Sequence, residues 1–152
     1  METELHLRMT IVQPPEGVVF RLQKGKTATA ELVAPSFKSG QSISFDFTVR
    51  AVCADVETDP VFRGPFAQGP PDGRFVYVNS GTCAGQADSC WTRRAKVPLT
   101  GITRELVERA SARPNMVLEG IIQGTGRDGG PACATVRLLD GGWRVVSTIA
   151  AA

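Results

Sequence analysis

Hydrophobic and polar residues alternate along most of the chain with the two-residue period of half-buried strands. In residues 4–12, Leu5, Leu7, Met9 and Ile11 alternate with Glu4, His6, Arg8 and Thr10, so the odd positions are expected to face a core. Pro14-Pro15-Glu16-Gly17 turns the chain into a second strand at 18–23, where Val18, Phe20 and Leu22 share one side. Gly25-Lys26 reads as a turn ahead of a strand at 28–33, and residues 35–41 read as loop. The clearest alternation sets Ile43, Phe45, Phe47 and Val49 against Ser44, Asp46, Thr48 and Arg50. Residues 55–73 are rich in proline, glycine and charge and read as a long excursion around Phe62 and Phe66, either an ordered lid or a binding surface. Further strands are expected at 74–79, 91–99, 115–123, 132–139 and 143–149. Residues 124–131 form a flexible turn in this reading, and the last two strands pair as a hairpin through Asp140-Gly141-Gly142.

One segment changes period. Thr103 can cap the amides of Arg104-Glu105-Leu106, Glu105 lies in the positively polarised first turn, and Ile102 and Val107 occupy the two positions of a hydrophobic staple. Leu106, Val107 and Ala110 make the apolar stripe and Pro114 ends the segment, giving one short helix near residues 103–112. Eight to nine strands with one helix define an all-β, single-domain chain over residues 1–152. A β-sandwich and a closed β-barrel both fit.

Composition agrees with a globular domain: the 152 residues are 42% hydrophobic and 21% charged. The 17 basic and 15 acidic residues give a formal net charge of +2 and no basic run, so nucleic acid is not an expected partner. No stretch reaches the roughly 18 apolar residues of a membrane helix, and the first residues do not resemble a secretory leader. A cytoplasmic location without a membrane partner is the expectation. Cys53, Cys83, Cys90 and Cys133 lack close Cys-x-x-Cys pairs and are expected to be thiols, a Cys83–Cys90 bridge across a short loop being the alternative.

Candidate chemistry is sparse. Phe62-Arg63-Gly64-Pro65-Phe66-Ala67-Gln68-Gly69-Pro70-Pro71 holds two rings, an arginine and an amide in a loop stiffened by two Gly-Pro pairs. Such a loop suits a ligand, and it equally suits a cap over the open end of the core. In Trp91-Thr92-Arg93-Arg94-Ala95-Lys96-Val97-Pro98-Leu99, alternation points Trp91 and Arg93 inward with Ala95, Val97 and Leu99. An inward Arg93 needs a partner, and Glu119 or a bound anion would serve. Arg94 and Lys96 share the other face, where they read as solvated charge or as a pair for phosphate or carboxylate. His6, the single histidine, sits on the outward face of the first strand, which argues against a nucleophile–base arrangement. Asp55, Glu57 and Asp59 lack the calcium-loop pattern, and Gly124-Thr125-Gly126-Arg127-Asp128-Gly129-Gly130 lacks the order of a phosphate loop and precedes a strand. Neither a metal nor a cofactor is implied.

The segments FRGPFAQGP at 62–70 and WTRRAK at 91–96, with FRLQKG at 20–25 ahead of them, resemble a family of small uncharacterised bacterial proteins of about this length. The resemblance implies a stand-alone bacterial domain and carries no activity or ligand.

The leading functional expectation is a small non-catalytic binding domain for an anionic or partly aromatic small molecule. Its site would form where the 62–71 loop meets the strands carrying Tyr77 and Arg93, with Phe62, Arg63, Phe66, Gln68, Tyr77, Trp91, Arg93 and Glu119 as candidates. The rings would give apolar contact, Gln68 would direct a polar group and Arg93 would meet the anion. One alternative is an enzyme acting by electrostatic positioning, in which Arg93 steadies an anion and Glu119 or an aspartate is the base. Another is a structural or protein-interaction module that self-associates through an exposed sheet edge.

Overall fold

A computed structural model describes the chain except residues 1, 15, 28–29, 56–57, 70–72, 82–92, 128–129, 139–141 and 148–152; the side chains of residues 93, 124–127 and 130–137 also lie outside the description. The two longest alternating runs pair with each other. Strand β1 (Glu2–Val12) lies antiparallel to β5 (Ser42–Val52) over its whole length. The register opposes like with like: Leu5 to Val49, Leu7 to Phe47, Met9 to Phe45 and Ile11 to Ile43, while Arg8 meets Asp46 and Thr10 meets Ser44. A slip of one residue would set every apolar side chain of one strand on the wrong face, so the pattern itself fixes the pairing.

On its other side β1 takes up β9 (Met116–Arg127) in parallel, with Leu7 opposite Leu118 and Ile11 opposite Ile122. The three long strands β5, β1 and β9 form the middle of a seven-stranded sheet, and each outer member carries two further strands along its free edge. Strands β4 (Phe37–Ser39) and β6 (Val61–Arg63) pair with opposite ends of β5. Strands β10 (Gly130–Leu138) and β11 (Arg144–Ser147) pair with opposite ends of β9. Residues 35–41 and 55–73, expected as loops, therefore each contain a short edge strand. The hairpin expected between β10 and β11 is replaced by two strands in file along β9. From Leu138↔Ile122 to Arg144↔Glu119 their side advances six residues while β9 advances three.

A second sheet of four antiparallel strands has the order β3 (Glu31–Val33), β2 (Val19–Lys24), β7 (Phe75–Gly81), β8 (Arg93–Pro98). The inward faces of both sheets join in one core, with Leu5, Leu7, Met9, Ile11, Phe45 and Leu118 from the large sheet and Phe20, Leu22, Val76, Val78 and Val97 from the small one. Edge strand β10 runs close to β8 and β7. The protein is thus predominantly β, with two sheets around a shared core. The large sheet curls without closing on itself among the described residues, so it is not the closed barrel of eight to nine strands that sequence allowed.

Helix α1 (Arg104–Ser111) begins as its caps require: the Thr103 hydroxyl accepts from the Leu106 amide at 3.2 Å. Its Val107 and Ala110 are buried against β1, β9 and β11, and Ile102 and Leu99 fill the approach to it. Trp143, at the start of β11, is 5% exposed and lies over Gly120, whose missing side chain leaves room for the indole. Its Nε1 donates to the Pro98 carbonyl at 2.9 Å, tying the β9–β11 edge of one sheet to the end of β8 in the other. Trp143→Phe would remove that donor and leave the Pro98 carbonyl without it, so a loss of about 1–3 kcal/mol in unfolding free energy, read from a lower denaturant midpoint, is expected, with the far-ultraviolet spectrum unchanged. No loss would mean that the indole bond does not hold the two sheets together.

Candidate functional site

Between β6 and β7 lies the excursion that sequence singled out, and its described residues, 64–69 and 73–74, are held by backbone hydrogen bonds. Gln68 and Phe75 form a bridge, with the Gln68 amide donating to the Phe75 carbonyl at 2.8 Å, and the Gly73 amide donates to the Phe62 carbonyl at 2.9 Å. The loop is also tied to the small sheet at the β2–β3 turn, where the Gly25 amide donates to the Pro65 carbonyl at 2.6 Å and the Gln68 side-chain amide donates to the Gly25 carbonyl at 2.8 Å. Gly73 is required here, because a Cβ at that position would stand 2.2 Å from the Phe62 carbonyl oxygen and 2.6 Å from the Ala67 Cβ.

The ordered loop forms one wall of a groove of about 1220 Å³, open to solvent, whose floor is the outer face of β7 and β8. Alternation on β7 turns Val76 and Val78 into the core and leaves Phe75 and Tyr77 half-buried on this face. On β8 it buries Val97 and exposes Arg94 and Lys96. The Arg94 guanidinium lies over the Tyr77 ring at 4.2 Å and the Lys96 ammonium over the Phe75 ring at 4.8 Å, while the two rings meet edge to face at 5.0 Å. Arg63 and Arg74 enter from the two ends of the excursion, Lys26 from the β2–β3 turn and Arg50 from β5.

Six basic side chains thus line one groove, and no carboxylate lines it among the described residues. Arg50 pairs with Glu2 at 3.3 Å. Among the described residues no carboxylate lies within ion-pair distance of Lys26, Arg63, Arg74, Arg94 or Lys96. Convergent cations with low-dielectric walls focus a positive potential into the cleft and draw anions to it.

The expected site residues divide. Arg63, Gln68 and Tyr77 border the groove, but Gln68 is 3% exposed and spends its amide on Gly25, so it holds the wall in place. Phe62 also borders the groove, yet at 2% exposure it belongs to the core. Phe66 packs on Phe47 with ring centroids 5.2 Å apart. These two rings act as the cap over the core, and the aromatic surface of the groove comes from Phe75 and Tyr77. Arg93 is placed by its backbone opposite Ser80, on the parity of buried Val97; its side chain and all of Trp91 lie outside the described residues, as do Cys83 and Cys90. Cys53 is a buried thiol.

Glu119 is elsewhere. Leu118, Gly120 and Ile122 occupy the core face of β9, which turns Glu119 to the outer face of the large sheet. There it stands opposite Arg8 in register and 3.5 Å from the Arg144 guanidinium. Arg8 in turn donates to Asp46 at 2.7 Å, and that hydrogen bond, outweighing partial burial and helped by the charges of Asp46 and Glu119, raises the guanidinium above its ordinary value. Positive and negative groups are matched on this face, in contrast to the groove, and Glu119 is not placed to act as a base there. His6 is exposed beside Glu4, and among the described residues no cluster of three or more histidine, cysteine or acidic side chains could hold a metal ion. Likewise, no described helix is long and apolar enough to cross a membrane.

Residues 5–146 match DUF5990, a family of unknown function, and the chain belongs to that family. The match runs from β1 to β11 and includes every element that builds the groove. No curated protein and no solved structure matches the chain.

Gly73→Ala is expected to lower stability by about 1–3 kcal/mol, because the new methyl meets backbone that cannot yield without moving the loop. Gly101→Ala, whose Cβ would have only a Trp143 ring carbon at 3.9 Å, serves as the control and should stay within about 0.5 kcal/mol. Equal denaturant midpoints for the two would show that the loop is not held as described.

Proposed function

We propose that this member of DUF5990 is a small non-catalytic binding domain whose ligand is anionic and lies in the groove between the 64–69 loop and the β7–β8 face. One observation carries the reading: Lys26, Arg63, Arg74, Arg94 and Lys96 converge on one concavity, and no described carboxylate neutralises them. Exposed cations scattered over a surface are ordinary solvated charge. Five that line one groove can be met together by an anion, which would replace their water with charge-assisted hydrogen bonds.

The elements that carry the cations favour binding over catalysis. Arg63 is on an edge strand paired to β5, Arg94 and Lys96 are on a strand paired to β7, and Lys26 is on a turn fastened by Gly25 to the loop wall. The basic heads are therefore presented by a scaffold that pays little ordering entropy when a ligand arrives. No general base faces them among the described groove residues, which supports recognition without a chemical step.

Tripolyphosphate, at constant ionic strength set with sodium chloride, should raise the melting temperature of the native chain and bind measurably by calorimetry. The double variant Arg74→Gln with Lys96→Gln should lose roughly 100-fold or more in affinity, since each charge-assisted bond contributes about 1.5–3 kcal/mol. Arg144→Gln, which lies on the outer face of the large sheet beside Glu119, should bind as the native chain does. Equal losses in the two variants, or no binding by the native chain, would remove the groove as an anion site.

A further inference from the structure

The kind of anion can be read from what accompanies the charge. Five cations are more than one phosphate or carboxylate can engage, so a ligand that satisfies the groove carries several negative groups. The groove, at about 1220 Å³, is open to solvent and exceeds the roughly 300–1,000 Å³ of pockets that enclose small molecules. Its floor also offers two aromatic rings, set edge to face with centroids 5.0 Å apart. Tyr77 and Phe75 stand two residues apart on one face of β7, each covered by a cation from β8, so that a guanidinium backed by a ring is presented next to an ammonium backed by a ring.

Resting on the anion-site reading, we infer that the groove binds a short stretch of single-stranded nucleic acid. A phosphodiester backbone would supply the repeated charges for Lys26, Arg63 and Arg74, and unstacked bases would lie on the Arg94–Tyr77 and Lys96–Phe75 pairs. Strand faces that combine stacking surfaces with basic side chains recognise single strands in this way, and bases stack on arginine planes as well as on rings. A duplex keeps its bases inside and cannot use the stacking floor. The near-neutral net charge of the chain, +2, gives no sign of the site, whose described lining holds six basic side chains and no carboxylate.

The test is fluorescence anisotropy with a labelled eight-residue oligothymidylate, run beside an inorganic polyphosphate of similar charge as competitor. The oligonucleotide should bind, with affinity falling roughly 20-fold between about 50 and 200 mM salt if three phosphates are engaged. Tyr77→Leu should weaken the oligonucleotide about 5- to 100-fold and leave the polyphosphate within about twofold, while Tyr77→Phe keeps native binding of both. Arg74→Gln should weaken both probes. Should Tyr77→Leu fail to fold, Arg94→Lys, which keeps the charge and loses the plane, must show the same selective loss. Oligonucleotide and polyphosphate binding alike and equally insensitive to Tyr77→Leu and Arg94→Lys would overturn the nucleic-acid inference and leave the anion site standing. Duplex binding as tight as single-strand binding would also overturn it. Binding of neither probe would overturn the anion site itself.

Discussion

Gly25 is where the two sheets agree on the position of the groove. Its N–H donates to the Pro65 carbonyl, and its carbonyl accepts both the Gln68 amide at 2.8 Å and the Gln23 amide at 3.1 Å. Gln23 then accepts from the Asn79 amide of β7 at 3.3 Å in buried surroundings. A chain of amides thus runs from the small sheet, through the β2–β3 turn, into the loop that leaves the edge of the large one. Buried amides that lack partners are costly, and among the described residues no buried side-chain nitrogen or oxygen is without a hydrogen-bond partner. The loop has few alternative positions that would keep all of these bonds, so the wall that carries Arg63 stands at a fixed place relative to the floor that carries Arg94 and Lys96.

That fixed geometry gives the charge distribution its meaning. On the outer face of the large sheet Arg8 pairs with Asp46 and Arg144 with Glu119, and on the helix Arg104 pairs with Glu108. Mobile side chains on a mobile loop would spread apart to lower their repulsion. Here the backbone holds their origins in one concavity, and two of the cations are further positioned over rings. An anionic ligand, as proposed, would meet several of these cations at once.

Much of the fold was legible because it rests on local periodicity. The odd positions of β1, the Phe45–Phe47–Val49 face of β5 and the cap at Thr103 all follow from neighbouring residues alone. Strands β4 and β6 were not legible, since three-residue edge strands carry too little alternation and owe their existence to the long strand they pair with. The β10–β11 hairpin misread has the same origin: the Asp140-Gly141-Gly142 signal looks like a turn, while both strands in fact answer to β9. For the site, alternation did set Arg94 and Lys96 on one face, but recognising that face as a floor needs the β7–β8 register that brings Tyr77 and Phe75 beneath them. Lys26, Arg50 and Arg74 come from three separate elements, and no spacing in the sequence joins them. Conversely, Phe62 and Phe66 looked available in the sequence because their loop is polar, and only the packed core shows that their rings are already used.

The most direct measurement is an amide and arginine side-chain NMR titration with tripolyphosphate, which maps where an anion sits without changing a residue. Saturating shifts at Lys26, Arg63, Arg74, Tyr77, Arg94 and Lys96, with Arg8 and Arg144 unmoved, are the expected result. Shifts that gather on the outer face of the large sheet, or weak non-saturating shifts over all basic residues, would contradict a built anion site in the groove.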